Sequence, residues 1–458
     1  MQVKSIIYVA VLVVGQLVSS TTEAADGAEF DLRPRLSAGQ CARVTANLEV
    51  EGKLHLAGQE QTEEVPLKAS GALEYDEQLL AVPDAPLANC RSARWFHKAE
   101  AAFHVKSQQS TIQLDDRRRL IVVDWAANAA AGVAVEGRLT RDELDLIEPP
   151  GNSLLVDGLL PQQPVKVEES WTHAPELLAA LLGIDAVTSA EVHSVLREAD
   201  ASAARCELAG NLFGAVGGVS TEIEIKAKYK FEFGPRRITW LAMLVHEKRS
   251  ISPVTPGIDA VSRLQLQIKP MSSSAQLVKR KALLSRDPLT PADLQLSYES
   301  PTGQYRLNYD RRWHVISEQP NMLVLRLLDR GGMLAQCNVS TKTLGKQDAA
   351  PALTGFQEEI KKALGNSFGQ FVRAGQHGDD PKRQVLWVVA QGQADELPIE
   401  WHYFLVANTT GQQVVLAFTL QPDEVEALNK ADVALVRGLE FLPPATDTAA
   451  TPTELRAR

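Results

Sequence analysis

With 458 residues, 45% of them hydrophobic and 23% charged, the chain is long and apolar enough for roughly two or three packed domains, which excludes an intrinsically disordered protein. Its formal net charge of −10 removes the electrostatic footprint of nonspecific nucleic-acid binding, so no nucleic-acid partner is expected.

The chain opens with one positive charge at Lys4 and an apolar run from Ile6 to Val18, too short for a comfortable final anchor. Thr22-x-Ala24 supplies small residues where a signal peptidase reads, so residues 1–24 are expected to be a signal peptide cleaved after Ala24 or one residue later. No Cys ends the apolar run, which argues against a lipid anchor there. Nothing downstream approaches eighteen unbroken apolar residues, so the mature chain is expected to be soluble, without a transmembrane anchor, and secreted or periplasmic.

From residue 25 to 270 the dominant signal is period-two alternation broken by Gly, Pro and Asp/Asn turns. Strands are predicted at 42–51, 63–75, 94–106, 119–124, 189–196, 203–208, 221–233, 238–245 and 259–268. The clearest carries Ile223, Ile225, Ala227, Tyr229, Phe231 and Phe233 on one face and Glu and Lys on the other, the pattern of a half-buried antiparallel strand. Arg117-Arg118-Arg119 is short and acid-flanked and reads as a hairpin tip. Thr140 with Glu143 three positions later opens one short helix, and Pro175–Leu182 forms another that ends at Gly183. Between them a connector is expected to cross the sheet and anchor the ring of Trp171.

Residues 271–300, with Ser272-Ser273-Ser274 and three prolines close by, read as an interdomain linker containing one short helix. Residues 301–445 read as a second domain: an antiparallel sheet, a helix with Phe356, Ile360 and Leu364 on one face closed by Gly365, and a final amphipathic helix from Pro422. Residues 446–458 read as a disordered tail. The fold class expected is therefore α+β and β-rich, a large curved antiparallel sheet or open barrel with short helices, followed by a smaller α/β sandwich.

The stretch Gly303 to Val315, with Tyr305, Leu307 and Tyr309 alternating before Trp313, resembles the opening of the PsbP-like fold of photosystem extrinsic subunits and DcrB-type envelope proteins. Asp310 stands where that family has a Pro. The resemblance implies a binding or accessory module. More loosely, the long alternating strands of the first domain resemble the LolA-type curved-sheet lipoprotein carriers, which implies a hydrophobic ligand in that domain.

Chemistry-bearing motifs are sparse. Nine histidines form no HExxH pair, no GxSxG elbow occurs, and the Gly-rich 210–218 lacks the Lys-Ser/Thr of a phosphate loop and reads as hairpin turns or a bulge. No cofactor and no metal site is expected. Glu400 and His402 share one face of a strand and read as polar residues on an exposed surface, whereas His97 and His104, seven apart, are expected on opposite faces. Cys41 and Cys90 are the candidate disulfide among three possible pairings of four thiols, and Cys337 reads as a buried thiol. The strand 238–245 is apolar on both faces except at Thr239, so Trp240, Ala242 and Leu244 are candidates for lining an apolar cavity. The function expected is a noncatalytic exported envelope protein that binds a partner protein or surface polymer; the alternatives are a carrier of lipid in the first domain and an unrecognised hydrolase.

Overall fold

The computed structural model describes residues 28–56, 62–82, 90–126, 129–252, 256–284, 289–302, 304–329, 332–342, 352–380 and 383–443. Residues 1–24, expected to be a signal peptide, and residues 446–458, expected to be a disordered tail, lie outside them. The chain divides into two compact units, Met1–Leu296 with Leu328–Met333, and Ser297–Leu327 with Leu334–Arg458.

The first unit comprises β1 (Glu29–Phe30), β2 (Cys41–Leu56), β3 (Glu63–Ala81), β4 (Arg91–Val105), β5 (Gln108–Gln113), β6 (Leu120–Ala126), β7 (Ala129–Ala134) and α1 (Arg141–Ile147). β8 (Val165–Lys166), β9 (Ser170–Thr172), α2 (Pro175–Leu182), β10 (Ala186–Ala199), β11 (Ala203–Val216), β12 (Val219–Glu232), β13 (Arg237–Arg249), β14 (Gly257–Met271), α3 (Ala275–Lys279) and α4 (Lys281–Leu284) follow. Twelve of these strands make one sheet in the order β7-β6-β4-β3-β2-β14-β13-β12-β11-β10-β9, with β5 paired to β4. Its terminal strands β7 and β9 do not meet, so the sheet is open and not a barrel.

Alternation sorts each strand onto two faces. Ile223, Ile225, Ala227, Tyr229 and Phe231 of β12 and Leu241, Met243 and Val245 of β13 are all buried on the inner face. The segment 139–182 covers that face, burying Leu144, Leu146, Leu155, Leu159 and Leu178. At roughly 25 cal/mol per Å², each fully buried Leu contributes about 2 kcal/mol, so this apolar layer is the main tie between segment and sheet. Polar contacts fix its register. Trp171 Nε1 and the Tyr229 hydroxyl both donate to the Leu159 carbonyl (2.8 and 3.2 Å), and the Ile238 amide donates to Asp157 Oδ1 at 2.7 Å. Helix α1 starts with the capping box expected from Thr140 and Glu143, and α2 ends at Gly183 with φ 69°.

Residues 271–300 hold more than a linker. Leu277 of α3 and Leu284 of α4 pack on Ala93, Leu120, Val122 and Val133 at the β4-β6-β7 end of the outer face. Arg280 lies over the Trp95 ring, 3.6 Å from its centroid.

The second unit comprises β15 (Leu296–Glu299), β16 (Tyr305–Tyr309), β17 (Trp313–Gln319), β18 (Met322–Asp329), β19 (Gly332–Lys342), α5 (Leu353–Leu364), β20 (Phe368–Asp380), β21 (Arg383–Ala394), β22 (Leu397–Asn408), β23 (Gln413–Leu420), α6 (Val425–Leu428), α7 (Ala431–Arg437) and β24 (Leu439–Phe441). A seven-stranded sheet runs β17-β18-β19-β23-β22-β21-β20, and a three-stranded one runs β15-β16-β24. Phe356 and Ile360 of α5 pack on Leu386, Val388, Leu405 and Ala407, while Trp313, Phe404 and Phe418 meet on the opposite face. This is an α+β sandwich. The single final helix expected from Pro422 is two, because Asn429 and Lys430 take positive φ (44° and 62°) and break it.

The candidate disulfide is corrected: Cys41, Cys90, Cys206 and Cys337 are all buried thiols, and none is bridged to another. Cys41 opens β2 and Cys90 precedes β4, with β3 between them. Two strand spacings of about 4.8 Å exceed the ~7 Å limit between Cα atoms that a disulfide spans. Among the described residues, no helix is long and apolar enough to cross a membrane.

Candidate functional site: an open groove on the outer sheet face

Strand β13 carries the clearest site. Its inner side chains are core, while Trp240, Ala242 and Leu244 are half-buried on the outer face and line a groove of about 850 Å³. The volume falls within the range of small-molecule sites, about 300–1,000 Å³. The three residues named from the sequence thus sit together, but in an open groove and not an enclosed cavity.

Antiparallel register supplies the rest of the lining. On one flank, Leu244, Ala242 and Trp240 face Lys226, Lys228 and Lys230 of β12. On the other they face Arg263, Gln265 and Gln267 of β14, and Arg263 and Gln265 in turn face Glu49 and Asn47 of β2. Lys228 is paired to Glu207 of β11 at 2.9 Å, and Lys226 to Glu224 at 2.5 Å. Arg263 and Glu49 carry no ion pair among the described residues, although both are partly buried and directly opposed. An apolar stripe two strand repeats long is therefore flanked by cations on both sides and by the amides of Asn47 and Gln265. Asn47 and Glu49 escape sequence reasoning because their proximity depends on pairing between β2 and β14, about 200 positions apart, whereas Glu207, Lys226, Lys228, Arg263 and Gln265 are placed by the registers of the neighbouring strands β11, β12 and β14.

On the inner face the segment 139–182 packs against the sheet. The void bounded by Ala46, Leu48, Gly71, Leu73, Leu146 and Pro149 measures about 10 Å³, about one water-sized probe. Beside it the connector is pinned by a buried network. Arg94 donates to Glu77 at 2.8 Å, Ser153 donates to Glu77 at 2.9 Å, and Arg237 lies 3.2 Å from Asp157. Burial pushes the Asp157 carboxyl up, against the opposing pull of Arg237. Two anions and two cations balance, and the network joins segment 139–182 to the sheet.

His246 Nε2 meets Asp259 at 2.8 Å on the sheet, and three further clusters that bring histidine to buried partners are spent on structure. Asp76, buried, accepts from Arg43 Nε and from the Ser274 hydroxyl at 2.6 Å, and His97 Nε2 lies 3.2 Å from Asp76 and 3.3 Å from Arg43 Nη2. Ser274 bonds to the aspartate and not to the histidine, and it caps α3. His97 reaches this face because it is the extra residue of a bulge, with Lys98 opposite Glu74 and Phe96 opposite Tyr75. The bulge corrects the expectation that His97 and His104 point apart, since it resets the alternation between them. His173 Nε2 lies 2.9 Å from the fully buried Ser194 hydroxyl, and burial, with His193 nearby, brings its imidazole down to about 4.

The third cluster corrects the reading of Glu400 and His402 as exposed. Both are buried, and α7 brings Asp432 to them. His402 donates through Nδ1 to Asp432 Oδ2 at 2.6 Å and through Nε2 to Glu400 Oε1 at 2.8 Å. Gln391 donates to the second oxygen of Glu400 at 2.7 Å. Burial alone pushes the imidazole down, but hydrogen bonds and charge from the two carboxylates outweigh it and hold His402 above the ordinary histidine value. A carboxylate on each ring nitrogen makes this a clamped imidazolium, with no nitrogen free for a metal.

No family model matches the chain, and no curated protein does. Nothing in these comparisons supports a likeness of the first unit to LolA-type carriers. Among solved structures, the chain is weakly similar to a Bacteroides thetaiotaomicron VPI-5482 protein, at 13% identity and a TM-score of 0.25, spanning 33% of this chain and about half (49%) of that one. It is also weakly similar to the Saccharomyces cerevisiae Ran-binding protein Mog1p, at 11% identity and a TM-score of 0.26, over 32% of this chain and 94% of that one. Cyanobacterial PsbP (CyanoP) from Synechocystis sp. PCC 6803 gives 14% identity and a TM-score of 0.26, over 34% of this chain and 97% of that one.

Proposed function

We infer that this chain is a noncatalytic, exported envelope protein, secreted or periplasmic, whose first unit binds a surface polymer or partner protein in the outer-face groove. The observation that carries the reading is the groove itself: about 850 Å³ along Trp240, Ala242 and Leu244, with charged and amide side chains converging on its sides. The export half rests on Lys4, the apolar run 6–18 and Ala24. The second unit, an antiparallel sheet with helices on both faces behind the Tyr305–Trp313 stretch, is read as a PsbP-like accessory module.

Two observations weigh against the alternatives. Carriage of lipid calls for an enclosed apolar space, and the connector occupies the face where LolA-type carriers would offer one. A hydrolase calls for an accessible nucleophile beside a base, and the Ser194 hydroxyl that meets His173 is buried. Native mass spectrometry of the protein purified from its own envelope tests the reading. A copurifying polymer or protein that is lost in Trp240→Ala supports it. A copurifying lipid indifferent to that substitution overturns it.

A further inference from the structure

Resting on the groove as a binding site, we propose that its ligand is an acidic polysaccharide strand, with a sugar ring on Trp240 and a carboxylate on Arg263. Size separates polymer from protein first. From Glu207 on β11 to Asn47 on β2 the groove crosses four strand steps, and from Trp240 to Leu244 it runs four residues. At about 4.8 Å per strand and 3.4 Å per residue, the footprint is roughly 19 by 14 Å, or about 270 Å². A stable protein interface needs about 800 Å² on each partner. The groove is a third of that, and the apolar stripe it offers on the outer face is Trp240, Ala242 and Leu244.

Side-chain chemistry then selects the ligand. The Trp240 ring is a flat apolar platform, and Asn47 and Gln265 each offer a donor and an acceptor, which matches hydroxyl groups that do both. Charge adds the acid. In the lining Lys226, Lys228 and Arg263 stand beside Glu49 and Glu207, and Glu224 next to them holds Lys226. Both lysines already hold glutamates, whereas Arg263 has no ion-pair partner among the described residues. A planar guanidinium with free donors at a groove wall suits a carboxylate, which it binds in bidentate fashion.

Calorimetry on the full mature protein with oligogalacturonate, a maltodextrin fraction of equal length and poly-glutamate tests the assignment. The acidic sugar is expected to bind at least about tenfold more tightly than the neutral one, with the difference removed by Arg263→Gln, restored in part by Arg263→Lys and weakened by salt. Trp240→Ala is expected to abolish binding of both sugars, and Trp240→Phe to retain it. Equal affinity for the two sugars, or an indifferent Arg263→Gln, overturns acid recognition but leaves the groove standing. Poly-glutamate binding more tightly than the uronate overturns the polysaccharide class. Sugar binding that survives Trp240→Ala, or no sugar binding at all, overturns the assignment; the first outcome also removes the groove as the site.

Discussion

Replacing His402 with Leu should destabilise the second unit severely, because it strands two acids. His402, Glu400 and Asp432 are each 5–6% exposed, so neither carboxylate can turn to water when the cation goes. Removing one partner from a buried ion pair costs about 3–5 kcal/mol, and here two hydrogen bonds to charged groups are lost together. Native-state hydrogen exchange at β22 and β23 amides reads this unit without assuming two-state unfolding of the whole chain. A loss of about 3–5 kcal/mol corresponds to exchange faster by roughly 10²–10⁴-fold. The linkage has a definite sign. The folded imidazole sits above the unfolded value near 6.5, so its contribution is fully present below about pH 6.5 and is lost as pH rises through the folded pKa. His402→Leu should therefore flatten the alkaline loss as well as lower protection. Combining it with Glu400→Gln and Asp432→Asn should recover much of the protection, since no buried charge is then left unpaired. Exchange at β22 that changes by less than about fivefold in His402→Leu, with the pH slope intact, would refute the clamped imidazolium.

His173 has the opposite linkage: its folded value of about 4 lies below the unfolded one, so the first unit should lose up to about 3 kcal/mol as pH falls from ~6.5 towards 4. His173→Asn should abolish that acid slope in β10 amide exchange, and a slope that persists assigns it elsewhere. Gly151 has φ 75°, and a Cβ there would lie 2.1 Å from Leu264 Cδ2, so Gly151→Ala should cost roughly 1–3 kcal/mol or more and shift the melting of the first unit. All four cysteines should survive non-reducing peptide mapping as thiols, and the native protein should resist thiol reagents at neutral pH, because burial pushes the Cys206 thiol up to about 12. A mapped Cys41–Cys90 peptide would contradict the β2-β3-β4 order.

The long strands were legible because alternation survives in the side chains themselves. Ile223, Ile225, Ala227, Tyr229 and Phe231, read as one face, are buried together. Boundaries failed where charge or glycine imitated an ending. Strand β3 runs past Tyr75 to Ala81 because Asp76 and Glu77, which look like a solvated turn, are neutralised by Arg43 and Arg94. β11 continues through Gly210 and Gly214 because the backbone of β10 comes so close there that a Cβ would lie 2.0 Å and 2.4 Å from its carbonyl oxygens. Only Gly217-Gly218 is the two-residue hairpin turn, with φ of 55° and 70°.

The candidate site divides along the same line. What lies on one strand is visible in one dimension: Trp240, Ala242 and Leu244 stand two apart on β13 and stay together in the structure. What depends on register is not, and Arg263 and Glu49 are brought opposite only when β14 pairs with β2 and joins the two halves of the sheet. A doubly apolar strand is usually buried on both faces. Here one face is core because segment 139–182 covers it, while α3 and α4 cover only the β4-β6-β7 end of the other. Unequal covering leaves the indole beside cations and amides, and that converts a packing residue into a candidate platform for a ligand.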